Sequence, residues 1–260
     1  MTRRHFTFAC KGSELAATLD DAAGSSGLLI VSGGNELRAG AWNGQALLAA
    51  RLAVRGFPVM RFDRRGVGDS GGENTGFQGS GADILAALAA IRSEAPHLRK
   101  VVAFGNCDAA SALMLGAGYG CDALVLANPW TLGHGDAAPL PPAALKAHYA
   151  RRLTSPAALL RLASGRVSPH KLLKSLVDIA RPAAPSPLAG DMATALARFA
   201  GPVTILIAER DRTAQAFLSA WDKTDPRLRH CLAASHSFVE PAAQEWLENQ
   251  LIAQLSSDVD

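Results

Sequence analysis

The sequence lacks most of the features that mark metal-binding, disulfide-bonded, membrane and nucleic-acid-binding proteins. Its 260 residues include four cysteines, which stand far apart and form no Cys-x-x-Cys pair, so neither a zinc site nor a disulfide framework is indicated. No His-x-His or His-Glu-x-x-His spacing occurs, which disfavours a metalloenzyme. No run is long and apolar enough to span a bilayer, and the net charge of +3 comes without a polybasic arm. We therefore expect no metal, no cofactor, no nucleic-acid partner and no membrane span.

The N-terminal residues are basic, but they alternate like a strand and contain no continuous apolar segment. We therefore expect no signal peptide and a cytoplasmic location with reduced thiols. Hydrophobic residues make up 48% of the chain, which is enough to bury the core of one large domain.

Strand-like and helix-like segments alternate along most of the chain. Two short strands joined by Lys11-Gly12-Ser13 predict a hairpin, and the later alternation predicts a parallel sheet buried on both faces by helices. The predicted strands are 5–10, 14–19, 28–32, 57–63, 101–104, 123–127, 202–211 and 228–231. Outside residues 131–190, the predicted helices are 42–55, 82–95, 109–116, 214–223 and 241–255.

The alternation stops between residues 131 and 190. This stretch is rich in proline, contains helix-like segments without a strand, and carries eight basic residues against two acidic ones. We interpret it as a helical cap inserted into one α/β core, which then comprises residues 1–130 and 191–260.

A cysteine stands where a buried strand turns sharply into a helix. The apolar run Val101–Phe104 ends at Gly105, Cys107 follows, and a helix of small residues begins near Ala109. Such a turn raises its middle residue to the carboxyl edge of a parallel sheet, facing a helix N-terminus. The pattern predicts a nucleophile elbow with a thiol in place of the commoner serine. A buried cysteine that packs as a small hydrophobic residue would give the same pattern.

Two later residues strengthen the catalytic interpretation. Asp211 ends the predicted strand at 202–211, and His236 comes just after the strand-like segment at 228–231. The order Cys107, Asp211, His236 is the nucleophile, acid and base order of α/β-hydrolases. Taken singly, the aspartate could cap a helix and the histidine could lie in a surface loop.

An acyl-transfer site also needs preorganised N–H donors for the oxyanion. One is expected from the backbone of Asp108. The other is expected from Gly34 or Asn35, in the turn after the strand at 28–32. A tight Gly-Gly turn without a catalytic role is equally compatible with this sequence.

These stretches resemble the α/β-hydrolase superfamily over essentially the whole chain and, more narrowly, the exosortase A system-associated hydrolases of type 1. The matching segments are GGNELRAGAW, GFPVMRFDRRGVGDSGG, GNCDAASALML, NPW, HYARRL, LLRLASG, ERDRTAQAF and SHSF. The resemblance implies an α/β-hydrolase fold with a mostly parallel eight-stranded sheet, and a hydrolase usually encoded near exopolysaccharide and protein-sorting genes. We interpret Asp63, Arg65 and Ser70 as structural residues of the second segment.

The expected reaction is hydrolysis of an ester or thioester through an acyl-enzyme on Cys107. The substrate is expected to be a small molecule or a carrier-bound acyl group. If the basic residues of the cap contact it, the substrate is expected to be anionic. Alternatively, these basic residues form only a solvated surface of the cap. The expected substrate-binding residues are Tyr149, Arg151, Arg152 and Trp130. An acyltransferase with the same three residues, or a non-catalytic binding protein of this fold, are the alternative functions.

Overall fold

The structure, a computed structural model, describes residues 2–132 and 186–257. Most of the predicted cap lies outside the described residues, and so do Tyr149, Arg151 and Arg152.

The described residues form a single eight-stranded sheet, which confirms the predicted fold. The strands are β1 (Thr2–Cys10), β2 (Ser13–Asp21), β3 (Ser26–Val31), β4 (Val59–Phe62), β5 (Lys100–Asn106), β6 (Ala123–Ala127), β7 (Val203–Ala208) and β8 (Leu228–Cys231). Their order in the sheet is β1-β2-β4-β3-β5-β6-β7-β8. The β1–β2 hairpin and the β2–β4 pair are antiparallel, whereas every later pair is parallel. The carboxyl ends of β5, β6, β7 and β8 therefore meet at one edge.

Helices cover both faces of this sheet. They are α1 (Gly44–Val54), α2 (Gly81–Glu94), α3 (Asp108–Leu115), α4 (Pro187–Leu196), α5 (Arg212–Ala220) and α6 (Pro241–Ser256). The first helix begins two residues later than predicted, because Trp42 and Asn43 have positive φ angles of 49° and 61° that a right-handed helix excludes.

Side chains that alternate along the strands fill two separate cores. Leu29 of β3 packs into a core shared with α2 to α5, whereas its neighbour Ile30 packs with α1 and α6. Both side chains are fully buried. This two-sided burial explains why the parallel strands are continuous apolar runs.

The two described parts of the chain meet beside the sheet edge. Ser186 caps α4 by accepting a hydrogen bond from the N–H of Ala189, and its hydroxyl donates to the carbonyl of Thr131 at 2.6 Å. The chain therefore returns to the place at which it leaves the core after β6.

The junction of β5 with α3 is the tightest contact between a strand and a helix near the site. A Cβ atom added to Gly105 would lie 2.8 Å from the backbone carbonyl carbon of Ala109. Only glycine allows β5 to pass α3 at this distance.

We expect Gly105→Ala to lower the free energy of unfolding by about 1–3 kcal/mol, because the backbone of α3 must shift to admit the methyl group. Gly190→Ala in α4 is the matched control, since an added Cβ there meets no atom within 4 Å. The control should stabilise the protein by up to about 1 kcal/mol through helix propensity. Urea unfolding measures both changes, and equal stability of the two variants would contradict the close approach.

Candidate active site

Cys107 lies at the sharp turn between β5 and α3. Its φ and ψ angles are 61° and −128°, a conformation that residues with a side chain rarely adopt. The turn is held on the sheet side by a hydrogen bond from the N–H of Cys107 to the carbonyl of Ala127 at 2.9 Å. Its own carbonyl accepts from the N–H groups of Ala110 and Ser111 in α3. The thiol is partly exposed, whereas the other three cysteines are buried.

The structure brings His236 and Asp211 to this thiol. The Nδ1 atom of His236 lies 2.9 Å from Oδ2 of Asp211, and the side chain of Cys107 is close enough to the same imidazole to help raise its pKa. Asp211 is nearly buried and also caps α5, since Oδ2 accepts from the N–H of Ala214 at 3.0 Å. The aspartate therefore has both roles that its sequence position allowed, as a helix cap and as a partner of the imidazole.

The imidazole holds a proton strongly in this setting. Hydrogen bonds with Asp211 and Cys107 raise the pKa of His236 to about 10, against the opposing effect of its partial burial. Asp211 also fixes the tautomer, because a carboxylate at Nδ1 leaves Nε2 as the nitrogen that exchanges a proton with sulfur.

Two asparagines that the sequence reading did not single out hold the histidine loop in place. Asn106 and Asn128 both donate to the carbonyl of His236, at 3.1 and 3.2 Å. Asn128 also donates to Oδ1 of Asn106 at 3.0 Å and accepts from the N–H of Ala208 at 2.8 Å. This network, the asparagine bracket, joins the ends of β5, β6 and β7 to the loop after β8. The local feature that marks this network is Asn128 at the end of β6, which is fully buried and has a positive φ angle of 45°.

The Gly-Gly turn that precedes the predicted donor Asn35 lies next to the elbow, and the N–H of Gly34 is already engaged. Gly33 approaches the elbow so closely that an added Cβ would lie 3.5 Å from Cβ of Cys107. The N–H of Gly34 donates to Oδ1 of Asp108 at 2.6 Å. The N–H of Asn35 donates no hydrogen bond within the described residues, and its side chain accepts from Asn74.

Trp130 is the one predicted substrate-binding residue that the structure describes. Its N–H lies 3.3 Å from the carbonyl of Cys107, and its indole Nε1 donates to the carbonyl of Leu132 at 2.6 Å. The ring is partly buried against the core. It therefore stands beside the elbow, where the chain leaves the described core.

A narrow cavity opens next to the elbow on the α1 and α6 side of the sheet. It provides about 50 Å³ for water-sized molecules, and its walls include Glu36, Trp42, Asn106, Phe238 and Gln244. Burial raises the pKa of Glu36, although a hydrogen bond from the N–H of Ala41 acts in the opposite direction. A substrate group in this cavity would meet apolar walls, the carboxyl group of Glu36, and Asn106, which directly precedes Cys107 in the chain.

The motif residues Asp63 and Ser70 support the turn under the site. Buried Asp63 accepts from the N–H groups of Arg38 and Asp69, and the Ser70 hydroxyl donates to the Asp63 carbonyl at 2.7 Å. Arg65 instead reaches Asp83 and the carbonyl of Gly79. These contacts agree with a structural role.

Within residues 2–132 and 186–257, no cluster of three or more His, Cys, Asp or Glu side chains is arranged to hold a metal ion. None of the helices in this part of the chain has the length and apolar character needed to cross a membrane.

Comparison with known proteins assigns the chain to one family. The profile of the Alpha/beta hydrolase family matches residues 28–249, so the chain belongs to the α/β hydrolase family. No curated protein sequence matches it.

Several solved structures share the fold at low sequence identity. An α/β hydrolase from a Penicillium species has a TM-score of 0.65 at 17% identity, over 99% of this chain and 100% of that one. A Pyrococcus furiosus esterase has a TM-score of 0.62 at 16% identity, over 98% and 90%. The thioesterase domain from the curacin biosynthetic pathway has a TM-score of 0.55 at 14% identity, over 97% and 100%. At these sequence identities, the structural similarity shows a shared fold and nothing more.

The raised pKa of His236 predicts a specific pH dependence of stability. A group whose pKa rises on folding stabilises the native state below its unfolded pKa, near 6.5, and this contribution disappears as the pH rises through about 10. We therefore expect the gap in unfolding free energy between the wild type and His236→Gln to be largest near pH 6 and to vanish above pH 10.

Urea unfolding at several pH values measures this gap. Asp211→Asn provides the control, because it removes the largest cause of the shift and should move the loss of stability to lower pH. A gap that grows with rising pH would contradict the assignment.

Proposed function

We propose that this protein hydrolyses an ester or thioester through an acyl-enzyme on Cys107, with His236 as the base and Asp211 as its orienting acid. The observation that carries the proposal is the proximity of the Cys107 side chain, the His236 imidazole and the nearly buried carboxylate of Asp211, which lies 2.9 Å from the imidazole. The strained backbone at Cys107 supports it, because such strain is concentrated at functional turns.

In the first half of the reaction, the His236 imidazole, which already holds the proton of the Cys107 thiol, keeps that proton while the sulfur attacks the acyl carbon. The electron pair of the C=O bond moves to oxygen, which the backbone N–H of Asp108 stabilises. The intermediate then collapses, the bond to the leaving group breaks, and the imidazolium returns the proton to that group. An imidazole with a pKa near 10 suits the first step, because it holds the proton firmly while the sulfur is charged.

In the second half, the imidazole takes a proton from water, and the resulting hydroxide attacks the thioester on Cys107. The carbon–sulfur bond breaks, the acid is released, and the proton returns to sulfur. If a substrate hydroxyl or amine replaced this water, the same residues would transfer the acyl group. Product analysis with and without added acceptors separates hydrolysis from acyl transfer.

The substrate class is the finer part of the proposal. A thiolate exchanges acyl groups readily with thioesters and activated esters, and solved relatives in fold include an esterase and a thioesterase domain. The eight basic residues between positions 131 and 190 support an anionic acyl donor, such as a carrier-bound acyl group. The roles of Arg151, Arg152 and Tyr149 in binding it, and the narrower resemblance to the exosortase-associated hydrolases, remain predictions from the sequence.

We expect Cys107 to be the first cysteine to react with iodoacetamide. Burial raises the pKa of Cys10 and Cys231, and raises that of Cys121 to about 12, so these thiols carry little thiolate. Peptide mapping after short exposure should find the label on Cys107.

The same protein, incubated with acyl thioesters and activated esters, should gain the mass of one acyl group at Cys107. Cys107→Ala should lose both the adduct and turnover while remaining cooperatively folded. Full turnover by this variant would rule out the proposed mechanism, and an acyl adduct on a different residue would do the same.

We also expect the three residues to act as one unit. Loss of His236 should lower kcat/KM nearly as much as loss of Cys107, by about 10³-fold or more, and the double variant should be little worse, because members of such a unit are strongly non-additive. Steady-state kinetics of Cys107→Ala, His236→Ala and their combination measure this. If the loss of kcat/KM in the double variant equals the product of the two single losses, then one of the two residues has only a structural role.

A further inference from the structure

The carboxylate of Asp108 occupies a donor of the predicted oxyanion hole. Asp108 follows the nucleophile directly, and its Oδ1 atom accepts the N–H of Gly34 at 2.6 Å. The same oxygen would lie 2.9 Å from a Cβ added to Gly33, a position itself 3.5 Å from Cβ of Cys107. A negatively charged oxygen therefore already lies at the Gly-Gly turn beside the thiol, where an acyl oxyanion would need the same donor.

Arg64 stands behind this carboxylate. It is 4% exposed, one of its terminal nitrogens, Nη2, donates to the carbonyl of Gly34, and the same Nη2 lies 3.7 Å from Oδ2 of Asp108. That separation exceeds a hydrogen bond. The other terminal nitrogen, Nη1, is buried and has no hydrogen-bond partner within the described residues. Because a buried, unpaired donor is costly, the guanidinium retains capacity for another acceptor.

Both observations have one explanation. Two carboxylate-like oxygens cannot share one N–H donor at short range, because their charges repel each other where little water screens them. We propose that the Asp108 carboxylate is an internal ligand of the oxyanion hole, which leaves the Gly34 N–H for Arg64 when an acyl oxyanion forms. This inference rests on the proposed function, since it concerns the oxyanion of that reaction.

Arg64 has two positioning roles in this arrangement. Its unpaired Nη1 supplies a donor for the departing carboxylate, so that the negative charge of Asp108 remains paired. Its Nη2 keeps hold of the Gly34 carbonyl, so that the turn stays in place after the carboxylate has left. Asp108 thereby lowers affinity for the oxyanion in the free protein, and its backbone N–H remains the permanent donor.

The test compares two reactions of Cys107 that differ in their need for the oxyanion hole. With butanal, the sulfur adds to the carbonyl carbon and the electron pair moves to oxygen, which requires the donors. With iodoacetamide, the sulfur displaces iodide at a saturated carbon, and no oxyanion forms. Dividing the change in butanal affinity by the change in alkylation rate removes any effect of Asp108 on the thiol itself.

Asp108→Ala frees the Gly34 N–H, so its normalised butanal affinity should rise at least about tenfold, since one donor of an oxyanion hole is worth about 10²–10³ in rate. Asp108→Asn keeps a hydrogen-bond acceptor but loses the negative charge. Its normalised butanal affinity should therefore lie between those of the wild type and Asp108→Ala. If Asp108→Ala does not fold, Asp108→Asn alone must exceed the wild type.

Unchanged or weaker butanal binding by Asp108→Ala, with wild-type binding by Asp108→Asn, would overturn the inference and make Asp108 a support for the Gly-Gly turn. Formation of butanal and acyl adducts on Cys107 in all variants would leave the proposed function standing in that case. If no variant forms either adduct, the proposed function fails, and the inference fails with it.

Discussion

The close approach of β5 and α3 is the constraint on which the site depends. Because Gly105 has no side chain, the helix begins directly over the strand, and the chain must turn within one residue at Cys107. The positive φ angle there costs backbone free energy of the order of 1–3 kcal/mol. Packing of the β5 and α3 side chains in the two cores offsets that cost. The thiol is therefore held at the sheet edge by the core, together with the hydrogen bonds of the Cys107 backbone.

A parallel sheet brings the other components to the same edge, but it does not orient them. The loop after β8, residues 232–240, is long enough to adopt many conformations. The asparagine bracket reduces this freedom, because Asn128 binds the backbone of Ala208 and His236 at once. Its amide is fully buried, so each of these hydrogen bonds would leave an unsatisfied group if broken. The imidazole is thus positioned through its own backbone carbonyl, independently of its contact with Asp211.

Charge at the site is arranged in two pairs that share the elbow. His236 and Asp211 form one pair on the side of β7, and Arg64 and Asp108 form the other on the side of β3. The first pair supplies a proton acceptor, and the second lies at the turn that holds the predicted oxyanion donors. Cys107 lies between them, so in the proposed reaction the reactivity of the thiol depends on both pairs.

The sequence by itself determined the alternation of strands and helices, the extents of β6 and β8, the elbow at Cys107 and the chain order of its two partners. These features are local, because apolar periodicity and a Gly-x-Cys-x-Ala turn are complete within a few residues. Only the tertiary structure decided that the Gly34 N–H meets the carboxylate of Asp108, 74 residues away, and that Asn128 holds the carbonyl of His236, 108 residues away. Such contacts depend on strand order and side-chain rotamers, which no short sequence pattern encodes. From the sequence alone, Arg64 is therefore indistinguishable from any other polar residue in a turn.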